Sequence, residues 1–181
     1  IAAVLTVLIG ISLITHPYQR ARIQSFLNPW EDPLGKNYHI IQSYTAIGSG
    51  GLWGVGIGQS KYQHFYLPHH YSDFIFSVLC EETGFLGAVF VLALFLMFFV
   101  RGIRIVNQAD NTLAALMAMG VMMFLLGQAL LNIMVVIGLF PITGIPLPFI
   151  SYGGSSLMMS LFLVGILLNI GQEKLPPASE A

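Results

Sequence analysis

Charged residues are scarce in this chain. They make up 8% of its 181 residues, against roughly a quarter in soluble domains, while 56% of the residues are hydrophobic. The sequence has no Asp, Glu, Lys, Arg or His between Asp110 and Glu173. A membrane span needs ~20 apolar residues, so this stretch has room for two spans and an uncharged connection. The composition therefore predicts an integral membrane protein.

Cysteine and net charge are also low. The single Cys80 excludes an internal disulfide framework and is interpreted as apolar filling. A net charge of −1 gives no indication of nucleic acid as a partner. The chain starts inside an apolar run with neither Met nor a basic segment, unlike a secretory signal peptide. We expect a truncated first span, and hence the C-terminal part of a longer protein.

Four apolar segments predict an all-α polytopic membrane protein with about four transmembrane helices and a large structured outer loop. Arg101 and Arg104 outnumber Asp110 in a short connection, which predicts that this connection is cytoplasmic. The expected spans are 1–15, 83–100, 113–139 and 155–171. They are joined by an outer segment at 16–82, a cytoplasmic loop at 101–112, an outer or re-entrant loop at 140–154 and a cytoplasmic tail at 172–181.

The outer segment contains several local signals. Residues 28–33 (NPWEDP) are typical of turns, and residues 39–44 predict a short amphipathic helix. Residues 48–58 contain six glycines, which disfavour a stable helix. Composition favours a flexible loop there. Trp53 and the apolar residues between the glycines indicate instead a packed structure at the membrane surface.

Asp73 precedes the apolar run Phe74, Ile75, Phe76 and has two interpretations. Ser72 or Asp73 is a good helix N-cap. Alternatively, a carboxylate at the membrane boundary beside two phenylalanines loses hydration and becomes a better proton acceptor near neutral pH. The residues alone leave both interpretations open.

Two pairs of residues near Asp73, Glu81 with Glu82 and His69 with His70, are candidate partners for it. Helical spacing would place Glu81 about 12 Å further along the axis, which is poor geometry for a two-carboxylate glycosidase site. Glu81 and Glu82 are then helix-end charges, and a single base at Asp73 requires a leaving group that needs no proton, such as a diphosphate. His69 and His70 with Asp73 form a weak metal hypothesis, because adjacent side chains point in different directions.

Residues 141–156 (PITGIPLPFISYGGSS) interrupt an otherwise membrane-depth sequence with prolines and glycines. Such irregular backbone is tolerated only when it is buried in protein or lines a cavity. Gly153 and Gly154 open the last span, where free N–H groups can meet a phosphate, and Ser155 is a candidate N-cap. Gln128 and Asn132 are interpreted as interhelical hydrogen-bonding residues.

Three stretches together resemble the FtsW/RodA/SpoVE (SEDS) family of shape, elongation, division and sporulation proteins. They are RIQSFLNPWEDPLGKNYHIIQSYTAIGSGGLWGVGIG, the pattern LP…SDFIF…EETG, and NIMVVIGLFPITGIPLPFISYGGSS. The resemblance runs from Gln19 to Ile170, and the spacing before Leu67 is closer to the FtsW and SpoVE branch. The family's essential aspartate corresponds to Asp73. His69, Tyr71 and Ser72 depart from the family's usual Glu, His and Thr.

The resemblance implies a peptidoglycan glycosyltransferase of about ten spans in the bacterial cytoplasmic membrane. It would polymerise lipid II at the outer face, together with a class B penicillin-binding protein, other division or elongation membrane proteins and membrane lipids. Asp73 would be the catalytic base of an inverting transfer from undecaprenyl diphosphate. A lipid II flippase and a non-enzymatic division scaffold are the alternatives. A divalent cation or basic residues would offset the diphosphate charge, and the candidate substrate-binding residues are Arg20, Arg22, Lys61, Gln42, Ser43, Ser151, Tyr152, Gly153, Gly154, Ser155 and Ser156.

Overall fold

The described residues of the computed structural model, 17–33, 35, 37–60 and 73–172, contain helices and irregular connections but no strand. The predicted all-α class is therefore confirmed for this part of the chain. The helices are α1 (Pro17–Leu27), a 3-10 helix (Pro29–Glu31), α2 (Tyr38–Gly50), α3 (Ile75–Gln108), α4 (Thr112–Val136) and α5 (Gly154–Gln172).

Three of these helices, α3, α4 and α5, are long and apolar enough to cross a membrane. The shortest, α5, has 19 residues, and at ~1.5 Å per residue it approaches the ~30 Å thickness of the hydrocarbon core. The chain is thus a multi-pass membrane protein. The fourth predicted span, 1–15, lies outside the described residues.

The spanning helices differ from their predicted limits. Helix α3 begins at Ile75 rather than at residue 83, and it continues past residue 100 to Gln108. Arg101 and Arg104 consequently lie on its last turns and not in a loop. Long basic side chains are compatible with this position because their stems cover apolar surface while their charges reach water. The connection to α4 shrinks to residues 109–111, where the Asn111 side chain caps α4.

Helix α2 packs against α3. Its buried residues, Ile40, Ser43, Ala46 and Gly50, recur at helical spacing and form one face. At Gly50 an added Cβ would lie 2.1 Å from the carbonyl oxygen of Cys80, so only glycine permits this approach. The predicted helix at 39–44 is confirmed, and it extends into the glycine-rich segment.

The N-terminal part of α3, before residue 84, is separated from the rest by a break at Gly84, which has non-helical φ 69° and ψ −166°. A break of this kind leaves carbonyl groups without their helical partners. Two of them are satisfied from residues 51–58, called here the glycine segment. Val55 N–H donates to the Glu81 carbonyl at 2.9 Å, and Gly56 N–H donates to that of Glu82 at 3.1 Å.

The backbone N–H groups that follow the break are satisfied by the same segment. Phe85 N–H donates to the Gly51 carbonyl at 2.9 Å, and Leu86 N–H donates to the Leu52 carbonyl at 3.3 Å. The glycine segment is therefore packed, as one of the two interpretations predicted. The contact with α3 is made by backbone, while Trp53 is 80% exposed, so its expected place at the membrane surface stays a prediction.

Gly54 and Gly84 make this backbone contact possible. A Cβ on Gly54 would lie 2.1 Å from the Glu82 carbonyl oxygen, and a Cβ on Gly84 would lie 2.4 Å from the Gly54 nitrogen. Both residues also have positive φ, +78° and +69°. Gly48, by contrast, is helical and has nothing within 4 Å of an added Cβ.

We expect Gly54→Ala to destabilise the complete protein, because the new methyl group clashes with backbone and positive φ strains alanine by ~1–2 kcal/mol. Gly48→Ala is the matched control and should be neutral or slightly stabilising. Thermal unfolding in detergent measures both. Equal midpoints for the two variants would show that the glycine segment does not hold the break together.

Candidate active site

Asp73 lies directly before α3. The helix begins at Ile75 with Phe74 at the N-cap position, and Phe74 provides no side-chain cap. Its carbonyl accepts from the N–H of Ser77 at 3.0 Å and from the Ser77 hydroxyl at 2.7 Å. Asp73 thus precedes the cap position instead of occupying it.

The two phenylalanines beside Asp73 are buried. Phe74 and Phe76 pack in a core cluster that includes Val136 of α4 and Leu147 of the following connection. Their rings fix the start of α3 against the rest of the bundle, while Asp73 itself is half-buried. The two rings thus belong to the core, and the expected loss of hydration at the Asp73 carboxylate stays a prediction.

The irregular residues 137–153, called here the re-entrant segment, follow α4. The segment leaves α4 through Gly138, whose positive φ of +78° would strain any other residue. A Cβ there would also lie 2.2 Å from the Tyr44 hydroxyl oxygen. Burial raises the pKa of the Tyr44 phenol. Helix α2 thereby holds the point where the segment begins.

Two side chains of α4 bind carbonyl groups of the re-entrant segment. Asn132 Nδ2 donates to the Ile145 carbonyl at 2.7 Å, and Gln128 Nε2 donates to the Pro146 carbonyl at 3.0 Å. Because Gln128 lies one turn before Asn132, the segment runs back alongside α4. The interpretation of both residues as interhelical contacts is corrected: they replace hydrogen bonds that a proline-containing, irregular backbone lacks.

The aspartate motif and the re-entrant segment meet at Asp73. Asn132 Nδ2 also donates to the Asp73 backbone carbonyl at 2.8 Å. Gly144 has φ +75°, and a Cβ added to it would lie 3.5 Å from Asp73 Oδ2. The carboxylate therefore lies close to Gly144, with room for about one methyl group between them. Sequence reasoning missed Gly144, although a glycine among prolines is a signal for positive φ or close approach.

A tight turn follows. Leu147 N–H donates to Ser151 Oγ at 2.6 Å, and Ser151 N–H donates to the Leu147 carbonyl at 3.0 Å. Phe149, with φ +68°, places its ring edge-on to Phe98 of α3, with centroids 6.4 Å apart. Ser151 is buried and holds this turn, so any role in substrate binding remains a prediction.

Helix α5 begins at Gly154, where Gly153 supplies the first accepting carbonyl, to Leu157 N–H at 2.9 Å. Gly153 thus holds the cap position predicted for Ser155. Among the described residues, a Cβ on Gly153 would have only an ordinary contact, 3.6 Å from Ser156 Cβ, and one on Gly154 would have none within 4 Å. The described part of the fold therefore does not require these two glycines, and Tyr152 beside them is 91% exposed.

The other candidate substrate-binding residues lie on the first helices. Ser43 is buried on α2, and its hydroxyl donates to the Val136 carbonyl at 3.3 Å, which joins α2 to α4. Gln42 on the same helix and Arg22 on α1 are half-buried. Lys61 and the Arg20 side chain lie outside the described residues.

Glu81 and Glu82 have partners at the end of the glycine segment and just after it. Ser60 Oγ donates to the Glu81 carboxylate, which is 1% exposed, and Gly58 N–H donates to Glu82 Oε1 at 3.1 Å. The interpretation as ordinary helix-end charges is thus incomplete. Carboxylates in an apolar run require hydrogen-bond donors, and this chain supplies them.

No group of three metal-ligating side chains occurs within the ranges that the structure describes. His69 and His70 lie outside those ranges. The metal hypothesis involving Asp73 therefore stays a prediction.

These features define a class: a multi-pass helical membrane protein with an aspartate held between a broken helix and a re-entrant segment. The family model described as cell cycle protein, FtsW/RodA/SpoVE, matches residues 1–175. The chain belongs to the FtsW/RodA/SpoVE family.

Curated relatives agree with this assignment. The chain is 49% identical over 170 residues to stage V sporulation protein E of Bacillus subtilis, covering 91% of this chain and 46% of the relative. It is 48% identical over 153 residues to a probable peptidoglycan glycosyltransferase FtsW of Geobacter metallireducens, covering 84% and 41%. The chain thus spans less than half the length of these relatives.

A solved structure also matches. It concerns the structural coordination of polymerization and crosslinking by a peptidoglycan synthase complex. The TM-score is 0.72 at 30% identity, covering 94% of this chain and 46% of the matched one.

Proposed function

We propose that the complete protein is a peptidoglycan glycosyltransferase that polymerises lipid II, with Asp73 as its catalytic base. The observation that carries the proposal is the placement of the Asp73 carboxylate beside Gly144, which brings the two most specific family motifs together. The names of the FtsW relatives support the same activity. Because this chain spans less than half of them, the activity is proposed for the whole protein.

The reaction is an inverting transfer. Asp73 accepts the proton of an acceptor sugar hydroxyl, and the hydroxyl oxygen forms a bond to the anomeric carbon of the lipid-linked donor. The bond from that carbon to the diphosphate oxygen breaks, and undecaprenyl diphosphate leaves with the electron pair. Because a diphosphate leaves without protonation, one carboxylate is sufficient.

The charge of the diphosphate requires a counter-charge. Arg20, Arg22, Lys61 or a divalent cation would supply it. The start of α5 supports an additional contribution, because Gly154 is exposed and the free N–H groups of a helix N-terminus favour anions.

An apolar groove beside the site supports a lipid-linked substrate over a soluble sugar. It has a volume of about 530 Å³ and runs from Gly144 and Pro146 along α4 past Phe124 and Leu131. Such a groove fits a hydrocarbon chain. Gly144, one of its lining residues, lies close to the Asp73 carboxylate.

The proposed location is the bacterial cytoplasmic membrane, with Asp73 at the outer face. The proposed partner is a class B penicillin-binding protein, which would cross-link the new strand. The matched synthase complex, in which polymerization and crosslinking are coordinated, supports this pairing. Other division or elongation membrane proteins and membrane lipids are further proposed partners.

A lipid II flippase and a division scaffold are the alternatives, since charged intramembrane residues also mark transport pathways. Glycan formation from purified lipid II is measured with the complete protein in detergent, with and without the penicillin-binding protein, and movement of lipid II is measured in vesicles. A polymerase makes glycan, a flippase moves lipid II without making glycan, and a scaffold does neither.

We expect Asp73→Asn to lower polymerisation by at least ~10²-fold, because the amide cannot accept the proton. Expression, thermal stability and partner binding should persist, since Phe74 and not Asp73 occupies the N-cap position. Asp110→Asn, the same change at an exposed position outside the spans, is the control and should keep wild-type activity. Normal polymerisation by Asp73→Asn would rule out the catalytic base.

Valine at both Gly153 and Gly154 should abolish polymerisation, because the side chains would fill the approach to the start of α5. Alanine at both positions should leave folding intact, since an added Cβ meets no clash. Thermal stability and glycan yield are measured for both pairs. Wild-type yield from a well-expressed valine variant would show that this stretch is only a connector.

We expect residues 16–72 and 140–154 to face outside and residues 101–112 and 172–181 to face the cytoplasm. Arg101 and Arg104 lie near the end of a span, and basic residues at span ends favour the cytoplasmic side. Cysteines introduced at Asn107 and Lys36, with Cys80 replaced by alanine, should react with an impermeant reagent from opposite sides. Reaction of both from outside would contradict the orientation.

A further inference from the structure

We propose that Asn132 is a positioning residue for Asp73: its side-chain amide ties the backbone of the catalytic base to the re-entrant segment. This inference rests on the proposed function and adds to it a residue with no direct role in the chemistry.

Both N–H groups of the Asn132 amide are used. One donates to the Asp73 carbonyl at 2.8 Å and the other to the Ile145 carbonyl at 2.7 Å. These acceptors are separated from Asn132 by 59 and 13 residues. Since both partners are carbonyl oxygens, only the NH₂ group can satisfy them, and the orientation of the amide is fixed.

The burial of Asn132 shows that this contact has a specific purpose. The residue is 1% exposed, and its Oδ1 is a buried acceptor with no partner in the described part of the chain. Leaving such an atom unsatisfied costs stability. An apolar residue would avoid that cost but would leave the carbonyl groups of Asp73 and Ile145 without their donor. The amide therefore serves the backbone of the site.

Asp73 needs such a contact because it lies outside the regular part of α3. The helix begins two residues later, at Ile75. A general base acts when its oxygen lies ~2.6–3.2 Å from the heavy atom that carries the proton, or is joined to it by one water, and a displacement of ~1 Å can cost ~10²-fold in rate. The side-chain amide of Asn132 binds the backbone of both Asp73 and Ile145, the residue after Gly144. It thereby sets the distance between the base and the re-entrant segment.

Gln128 provides a matched control. It lies one turn earlier on α4 and donates to the Pro146 carbonyl at 3.0 Å. It anchors the same segment but has no hydrogen bond to Asp73 within the described ranges. Removing each amide in turn therefore separates the anchoring of the segment from the anchoring of the base.

The test compares Asn132→Leu and Asn132→Asp with Gln128→Leu in the complete protein, using steady-state polymerisation of lipid II. Asn132→Asp keeps the size but replaces two donors with acceptors. We expect kcat to fall ~10²-fold in both Asn132 variants with KM within about threefold of wild type, and less than ~10-fold in Gln128→Leu. Lipid II binding measures the folded fraction, and kcat is expressed per binding-competent molecule.

A double variant tests whether Asn132 acts through Asp73. In the Asp73→Asn background, Asn132→Leu should cause less than about a twofold further loss of residual activity. Equal losses from Asn132→Leu and Gln128→Leu, or full additivity with Asp73→Asn, would overturn the inference. If Asp73→Asn is inactive while Asn132→Leu is fully active, this inference is overturned and the proposed function stands. An active Asp73→Asn would overturn the proposed function itself.

Discussion

Backbone hydrogen bonding without water is the constraint on which this structure depends. In a membrane, irregular backbone must find its partners within the protein. The break at Gly84 and the re-entrant segment are two irregular places within or beside the candidate spans of the described chain. At the break, backbone of the glycine segment replaces the missing helical bonds on both sides. In the re-entrant segment, Asn132 and Gln128 serve carbonyl groups that have no helical partner.

Both solutions position Asp73. The break makes the first turns of α3 a short unit, held by α2 and by the glycine segment, and Asp73 lies at the start of that unit. The re-entrant segment then brings Gly144 close to the carboxylate. Irregular backbone is thus concentrated around the residue proposed to carry the chemistry, which is where such departures from regular structure are expected.

The arrangement also suits the proposed lipid-linked substrate in physical terms. The Asp73 carboxylate lies near Gly144, which lines the apolar groove, so a sugar could meet it while the hydrocarbon chain stays among Phe124, Leu131 and their neighbours. The exposed start of α5 adds a group of N–H donors that suits an anion. Family membership and these three features support the proposed membrane enzyme of cell-wall synthesis, and each feature comes from a different part of the chain.

The sequence by itself determined the membrane class, the helical fold, the turn at residues 28–33 and the irregular stretch after α4, and it singled out Asp73 as a candidate. These follow from composition, hydrophobic length and local proline and glycine signals, which need no knowledge of distant neighbours. Tertiary structure alone decided the partners of Glu81, Glu82 and Asn132, the docking of the glycine segment and the contact of Asp73 with Gly144. Asn132 and Asp73 are 59 residues apart. Contacts over such separations depend on how helices pack, and local patterns do not encode them.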